Sequence, residues 1–219
     1  MELIEIKLTE DGSTTLYRPD LNEHYHSIHG AIQESKHVFI EAGLKKCQSD
    51  SLKILEIGFG TGLNAFLTML YADNKKIIYH SIEKYPLAKN IVEKINFPHI
   101  INSPESKKWF QKIHEIPWNT ECEIEPWFKL KKIETDLLEH NFENGYDLVY
   151  FDAFAPEKQP ELWDVKIFQK LFNSMSENAI LTTYCAKGNV RRAMISCGFA
   201  VERIPGPPGK RQMMVSVKK

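Results

Sequence analysis

Four carboxylates stand where strands would hand them to a ligand. Asp152 follows the apolar run Leu148-Val149-Tyr150-Phe151, and Glu83 closes the run 77–82. Asp136 follows a run ending near Ile133, and Glu56 lies inside Ile54-Leu55-Glu56-Ile57. A carboxylate at the end of a buried strand can accept hydrogen bonds from sugar hydroxyls or hold an amine in place. The run containing Glu56 opens into Gly58-Phe59-Gly60-Thr61-Gly62, then Asn64 and a small, apolar stretch over 65–70 that suits a helix. Strand, tight turn and helix N-terminus together let a ligand come up against bare backbone. Each residue also has a plainer reading: a glycine turn can be structural, and an acid after a strand is often a helix cap, as Asp136 would be for Leu137-Leu138. Their conjunction points to a nucleoside site.

The glycine spacing selects the nucleoside. A dinucleotide fingerprint, G-x-G-x-x-G, would place its third glycine at position 63, which is Leu63; the third glycine is Gly62. Acid-x-G-x-G-x-G resembles the first motif of class I S-adenosylmethionine (SAM) methyltransferases. That resemblance implies SAM as cofactor, with Glu56, Gly58, Gly60, Thr61, Gly62 and Asn64 around its methionine part. Glu83, about 20 residues past the last glycine, has the spacing of a ribose-binding acid, with Lys84 beside it. Asp136 would meet the adenine amino group or cap its own turn, and Asp152 with Ala153 would close the pocket.

Asp152-Ala153-Phe154-Ala155-Pro156 occupies the position of the (Asp/Asn)-Pro-Pro-(Tyr/Phe) motif of amino-group methyltransferases, with different letters. The alanines keep space open and Pro156 stiffens the exit. Together with Glu56 to Leu63, nearby Trp163, the terminal Pro205-Gly206-Pro207-Pro208-Gly209-Lys210-Arg211 and the segments Tyr25-His26-Ser27 to Glu34-Ser35 and His37-Val38-Phe39, the chain resembles one family over nearly its whole length. This is the tRNA 5-methylaminomethyl-2-thiouridine methyltransferase family, in the stand-alone form of the MnmC type. The resemblance implies methyl transfer from SAM to the primary amine of 5-aminomethyl(-2-thio)uridine at the tRNA wobble position. It implies no fused FAD oxidase and a separate enzyme that supplies the aminomethyl group. Asp152 is then the catalytic residue, orienting the amine. An unperturbed aspartate, with a pKa of about 4, is a poor base for an alkylammonium, so water is the expected proton acceptor. Phe154, Pro156 and Trp163 are substrate-side candidates, the aromatics as stacking faces for a flipped base. Lys210 and Arg211 are the candidates for the tRNA anticodon loop.

The elements that must carry these residues alternate. Strands are expected over 53–57, 77–82, 121–129, 146–151, 179–184, 200–204 and 212–217, and helices over 63–71, 87–95, 106–113, 161–175 and 190–197. This is α/β: a mostly parallel, seven-stranded, Rossmann-like sheet with an antiparallel last strand. Residues 1–50 form an extension, a hairpin over 3–8 and 14–17 followed by a helix over 30–44, and residues 51–219 the methyltransferase domain. Residues 97–120, with Pro104, Pro117 and two tryptophans in a polar setting, fit either a helical insertion or a long connection.

Bulk properties narrow the setting. The chain has 219 residues, 42% apolar, enough for one domain with a real core. Its formal net charge of −1 provides no global basic field, so an RNA must be met by local patches. Four scattered cysteines without a C-x-x-C argue against a zinc ribbon or a disulfide framework. The start, Met1 to Glu5, lacks signal-peptide character, and no apolar run approaches a membrane span, so a soluble cytoplasmic protein is expected. His24-x-His26-x-x-His29 has no nearby aspartate or cysteine to complete a metal site, so no metal is expected and a loop lying over the site is the better reading. An aminopropyltransferase, a dehydrogenase and a catalytically silent RNA-binding module remain as alternatives.

Overall fold

The computed structural model describes residues 4–219. The chain opens with β1 (Glu5–Leu8), β2 (Thr14–Arg18) and β3 (Glu23–His24), a three-stranded antiparallel sheet. The expected first strand began at Leu3, which lies outside the described residues. Asp11-Gly12 makes the hairpin turn, with Gly12 at φ 79°.

The helix expected over 30–44 is divided. A short α1 (Ala31–Ser35) passes into a π-helical turn, Lys36–Glu41, where Ala42 N–H donates to the His37 carbonyl. The wider turn accommodates three consecutive buried residues, Val38, Phe39 and Ile40.

The main sheet is built from β4 (Ser51–Ile57), β5 (Lys76–Glu83), β6 (Glu121–Glu125), β7 (Phe128–Glu134), β8 (Tyr146–Phe151), β9 (Met175–Thr183), β10 (Phe199–Pro205) and β11 (Gln212–Lys218). Their order is β10-β11-β9-β8-β4-β5-β7-β6. The inner pairs β9-β8, β8-β4, β4-β5 and β5-β7 are parallel, and β11 enters antiparallel between β9 and β10. The expected antiparallel last strand is therefore present. The sheet has eight strands rather than seven, because the run 121–129 is two strands. Pro126 and Trp127 turn it back, and β6 lies antiparallel on β7 at the edge.

Between strands run α2 (Leu63–Leu70), α3 (Lys89–Val92), α4 (Phe97–Ile101), α5 (Ser106–Glu115), α6 (Val165–Ser174) and α7 (Gly188–Ser196). The helix expected over 87–95 shrinks to α3, which buries none of its residues. Of the two readings of 97–120 the helical one holds: it carries α4 and α5, and α5 buries Phe110 and Ile113. Strand alternation splits the core into two clusters, one holding Ile54, Tyr79, Phe128 and Leu148, the other Leu55, Ile57, Val149 and Phe151. Ala31, Val38, Phe39 and Ile40 belong to the first cluster, so the N-terminal segment shares that core.

The chain runs from β4 to β5 on one side and reaches β8 on the other. The strand order thus reverses at β4, and a crevice opens beyond the carboxyl ends of β4, β5 and β8, the usual ligand position in open α/β sheets.

Candidate functional site

A cavity of about 530 Å³ fills that crevice. Its wall brings together Gly58, Gly60 and Asn64 after β4, Glu83 and Lys84 after β5, Asp136 after β7, and Asp152, Ala153 and Phe154 after β8. Lys210 reaches it from the loop between β10 and β11.

The glycine turn follows from close approach. Gly58 has φ 91°, and a Cβ there would stand 2.7 Å from the Asp152 carbonyl oxygen. Gly58 and Phe59 N–H both donate to the Ile82 carbonyl, which binds the turn to the end of β5. Gly60 N–H donates to Glu83 Oε2 at 3.0 Å, and Tyr85 N–H to Glu83 Oε1 at 2.8 Å. Glu83 therefore braces the turn while facing the cavity, and burial raises its pKa.

Asp152 Oδ2 accepts a 2.8 Å hydrogen bond from Asn64 Nδ2 at the start of α2. Burial pushes the Asp152 carboxyl up to about 7, against the lowering effect of Asn64. Its expected weakness as a base rested on an ordinary aspartate, and the desolvated site changes that. Phe154 meets the Tyr25 ring edge-on at 5.1 Å. Asp136 takes the capping role, since Oδ1 accepts from Leu138 N–H at 2.9 Å. Its Oδ2 pairs with Lys84 Nζ at 2.7 Å, so both residues answer each other at the rim.

Several expected residues lie off the wall. Glu56 is fully buried, because strand alternation turns its side chain into the interior, where Ser81 Oγ donates to Oε2 at 2.5 Å. Thr61 and Gly62 lie behind the turn: Thr61 Oγ1 is 2.7 Å from His26 Nε2, and a Cβ on Gly62 would stand 2.9 Å from His114 Nε2. Trp163 is 4% exposed and packs on Phe151, so it is not a stacking face; its Nε1 donates to the Phe154 carbonyl at 2.8 Å. Pro156 is buried beside that loop. Lys210 and Arg211 separate: Arg211 is exposed, whereas Lys210 turns inward to Glu34 Oε1 at 2.6 Å.

The loop carrying His24 and His26 lies over the cavity, where the histidine pattern placed it. Its histidines have partners of their own: His26 with Thr61, His29 Nδ1 with Glu10 at 3.0 Å, and His24 with its ring tilted against Tyr17 at 4.7 Å. Burial holds His26 down to about 4. Tyr25, Ser27, Glu34, Tyr184 and Arg18 also line the cavity and had no assigned role. The family resemblance covers Tyr25-His26-Ser27 to Glu34 only as a block. Tyr184 ends β9's run one residue past the strand, a position that a strand-end search extended beyond acids would include.

A sequence profile of the family described as S-adenosyl-L-methionine-dependent methyltransferase matches residues 99–219. The tRNA 5-methylaminomethyl-2-thiouridine biosynthesis bifunctional protein MnmC of Burkholderia multivorans is 30% identical over 94% of this chain and 33% of its own length. The protein of the same name from Aeromonas hydrophila is 28% identical over 87% of this chain and 32% of its own. The chain thus spans about a third of the length of the curated relatives it matches. Among solved structures, MNMC2 from Aquifex aeolicus superposes with a TM-score of 0.84 at 26% identity, covering 100% of this chain and 72% of that one. Spermidine synthase from Thermotoga maritima superposes at 0.57 with 11% identity over 99% of this chain and 72% of that one, a likeness of fold alone. With the profile matched over more than half of its residues and the glycine turn at the strand-order reversal, the chain belongs to the S-adenosyl-L-methionine-dependent methyltransferase family.

Proposed function

We propose that the chain methylates the primary amine of 5-aminomethyl(-2-thio)uridine at the wobble position of tRNA. The observation that carries this reading is Asp152, a desolvated carboxyl at the end of β8, aimed into the cavity and held by Asn64. Support comes from relatives whose names state tRNA 5-methylaminomethyl-2-thiouridine biosynthesis and from the MNMC2 superposition.

The residues present suit SAM. The cavity volume falls in the range of cofactor pockets. Gly58 and Gly60 leave backbone open where a side chain would intrude, and Glu83 stands where the ribose hydroxyls would be met. When bound, SAM supplies an electrophilic methyl group on a sulfonium. The chain's own part is positioning and proton handling. Asp152 orients the amine, and its raised pKa narrows the gap to an alkylammonium near 10, so it can also take the proton that the amine must shed. Phe154, with Tyr25 against its edge, offers an apolar face to the base. The segment 23–34 covers the cavity, a role we assign to the extension formed by residues 1–50.

A separate enzyme is proposed to make the aminomethyl group. The cytoplasm is the proposed compartment, in keeping with four cysteines that are free thiols. The test is mass spectrometry of nucleosides from tRNA of cells lacking this chain, after incubation with the protein and SAM. Gain of one methyl on 5-aminomethyl-2-thiouridine is the expected result; methylation of another nucleoside, or none, overturns the proposal.

A further inference from the structure

Glu56, Asn64 and Tyr79 form a buried polar cluster directly behind Asp152. Glu56 is paired across the sheet with Ser81 on β5 and Tyr150 on β8. Its Oε2 accepts from Ser81, but Oε1 has no hydrogen-bond partner. Asn64 gives Nδ2 to Asp152, yet its Oδ1 has no donor. The Tyr79 hydroxyl is also without a partner. Both Asn64 and Tyr79 bear directly on the Glu56 carboxyl. Orphaned buried polar atoms each carry a desolvation cost of about 1–3 kcal/mol, so three in one cluster call for a common explanation.

One proton accounts for all three. With a hydrogen on Oε1, Glu56 donates to Asn64 Oδ1, and the same Oε1 accepts from the Tyr79 hydroxyl. A charged Glu56 would instead present an oxygen to the amide oxygen of Asn64. It would favour the flipped amide, with NH2 toward Glu56 and Oδ1 toward Asp152, and the bond that holds Asp152 would be lost. The groups that bear on Glu56 are Ser81, Asp152, Asn64 and Tyr79, none of them a cation, and Tyr150 also faces it. We propose that Glu56 works as a neutral, hydrogen-donating acid that fixes the Asn64 amide toward Asp152, and is thus a positioning residue for the methyl transfer rather than a contact of the cofactor. Burial, with the nearby Asp152 charge adding to it and the Ser81, Asn64 and Tyr79 contacts working against it, pushes Glu56 up to about 8, consistent with a proton held at neutral pH.

The proposal rests on the proposed reaction for its activity readout only. The direct test is the infrared difference spectrum of wild type minus Glu56→Gln, which cancels Asp152 and Glu83, the other carboxyls that burial raises. A protonated-carboxyl C=O band should remain in that difference at pH 7; its absence at pH 7 overturns the proposal. Glu56→Gln alone, whose NH2 can donate to Asn64 Oδ1, should keep wild-type SAM affinity by calorimetry and near wild-type turnover, and should lack the decline in turnover that the proposal expects of wild type above about pH 8. Glu56→Ala should lose about a hundredfold in turnover through misplacement of Asp152. Weakened SAM binding in Glu56→Gln, or an alkaline decline unchanged by it, sinks the idea. If the methyl acceptor is misassigned, wild type itself fails to turn over that tRNA, while the spectrum and the calorimetry still report.

Discussion

Lys210 Nζ lies 2.6 Å from Glu34 Oε1 and 3.9 Å from the centre of the Tyr184 ring. The contact ties the loop between β10 and β11 to α1 across the cavity mouth, and Glu34 Oε2 in turn accepts from Ser27 N–H at 2.7 Å. Lys210 also lowers the Asp152 carboxyl while Glu34 raises it, so the pair helps to set the charge that the amine of the proposed substrate would meet. An ammonium so engaged is a poor phosphate contact; exposed Arg211 is the better one. In tRNA binding across a salt series, Arg211→Ala should weaken affinity and reduce the salt slope by about one. Lys210→Met should leave the slope as in wild type and lower turnover instead. An equal loss of slope in both variants would return Lys210 to the RNA surface.

The Asp152 carboxyl, raised to about 7 by burial, implies a pH dependence with a definite sign. Below that pH it carries a proton and cannot accept one from the amine. The kcat/KM profile should therefore fall on its acid side as pH drops through about 7, separately from the decline expected from Glu56 above about pH 8. The same shift links to stability. The unfolded carboxyl titrates near 3.8, so the proton preference of the folded state favours folding at low pH and is lost as pH rises from there through about 7. Asp152→Asn should bind SAM normally and lose most turnover. It should also gain stability relative to wild type as pH rises across that window, read by denaturant midpoints at several pH values.

The strand-end carboxylates and the glycine turn were legible because each is local: an apolar run, then a breaker or an acid. Their convergence is a property of strand order, and the α/β alternation was enough to imply it. What escaped was non-local. Lys210 and Arg211 are neighbours in sequence, but the turn after Gly209 sends one inward to Glu34, 176 positions away, and leaves the other in solvent. Trp163 has the composition of a stacking face, yet its indole N–H is spent on Phe154 and its ring on Phe151. The split of 121–129 hinged on Pro126, a breaker inside an otherwise continuous strand pattern.

Glu83 has two jobs that one substitution can separate. Its carboxylate receives Gly60 and Tyr85 N–H groups and faces the place where ribose hydroxyls would lie. Charge-assisted hydrogen bonds contribute about 1.5–3 kcal/mol each, so Glu83→Ala should weaken SAM about 10- to 100-fold by calorimetry. Glu83→Gln keeps one acceptor oxygen for the turn and should fall between that variant and wild type. An unchanged dissociation constant for Glu83→Ala would remove this residue from the cofactor site.

Trp163 separates support from stacking. Its Nε1 donates to the Phe154 carbonyl, and its ring lies 4.7 Å from Phe151 and 6.1 Å from Tyr184. Trp163→Phe keeps an aromatic face but leaves that carbonyl without its donor, at a cost of about 1–3 kcal/mol. For a chain of this length the melting temperature should drop by about 2–4 °C per kcal/mol. SAM affinity should stay as in wild type, because the indole does not line the cavity. Turnover should fall modestly, since the Phe154 segment loosens next to Asp152. A residue that stacks on the base would behave in the opposite way: the phenyl ring would preserve function and stability together. Thermal melts of the variant, paired with KM for the tRNA, decide between these outcomes.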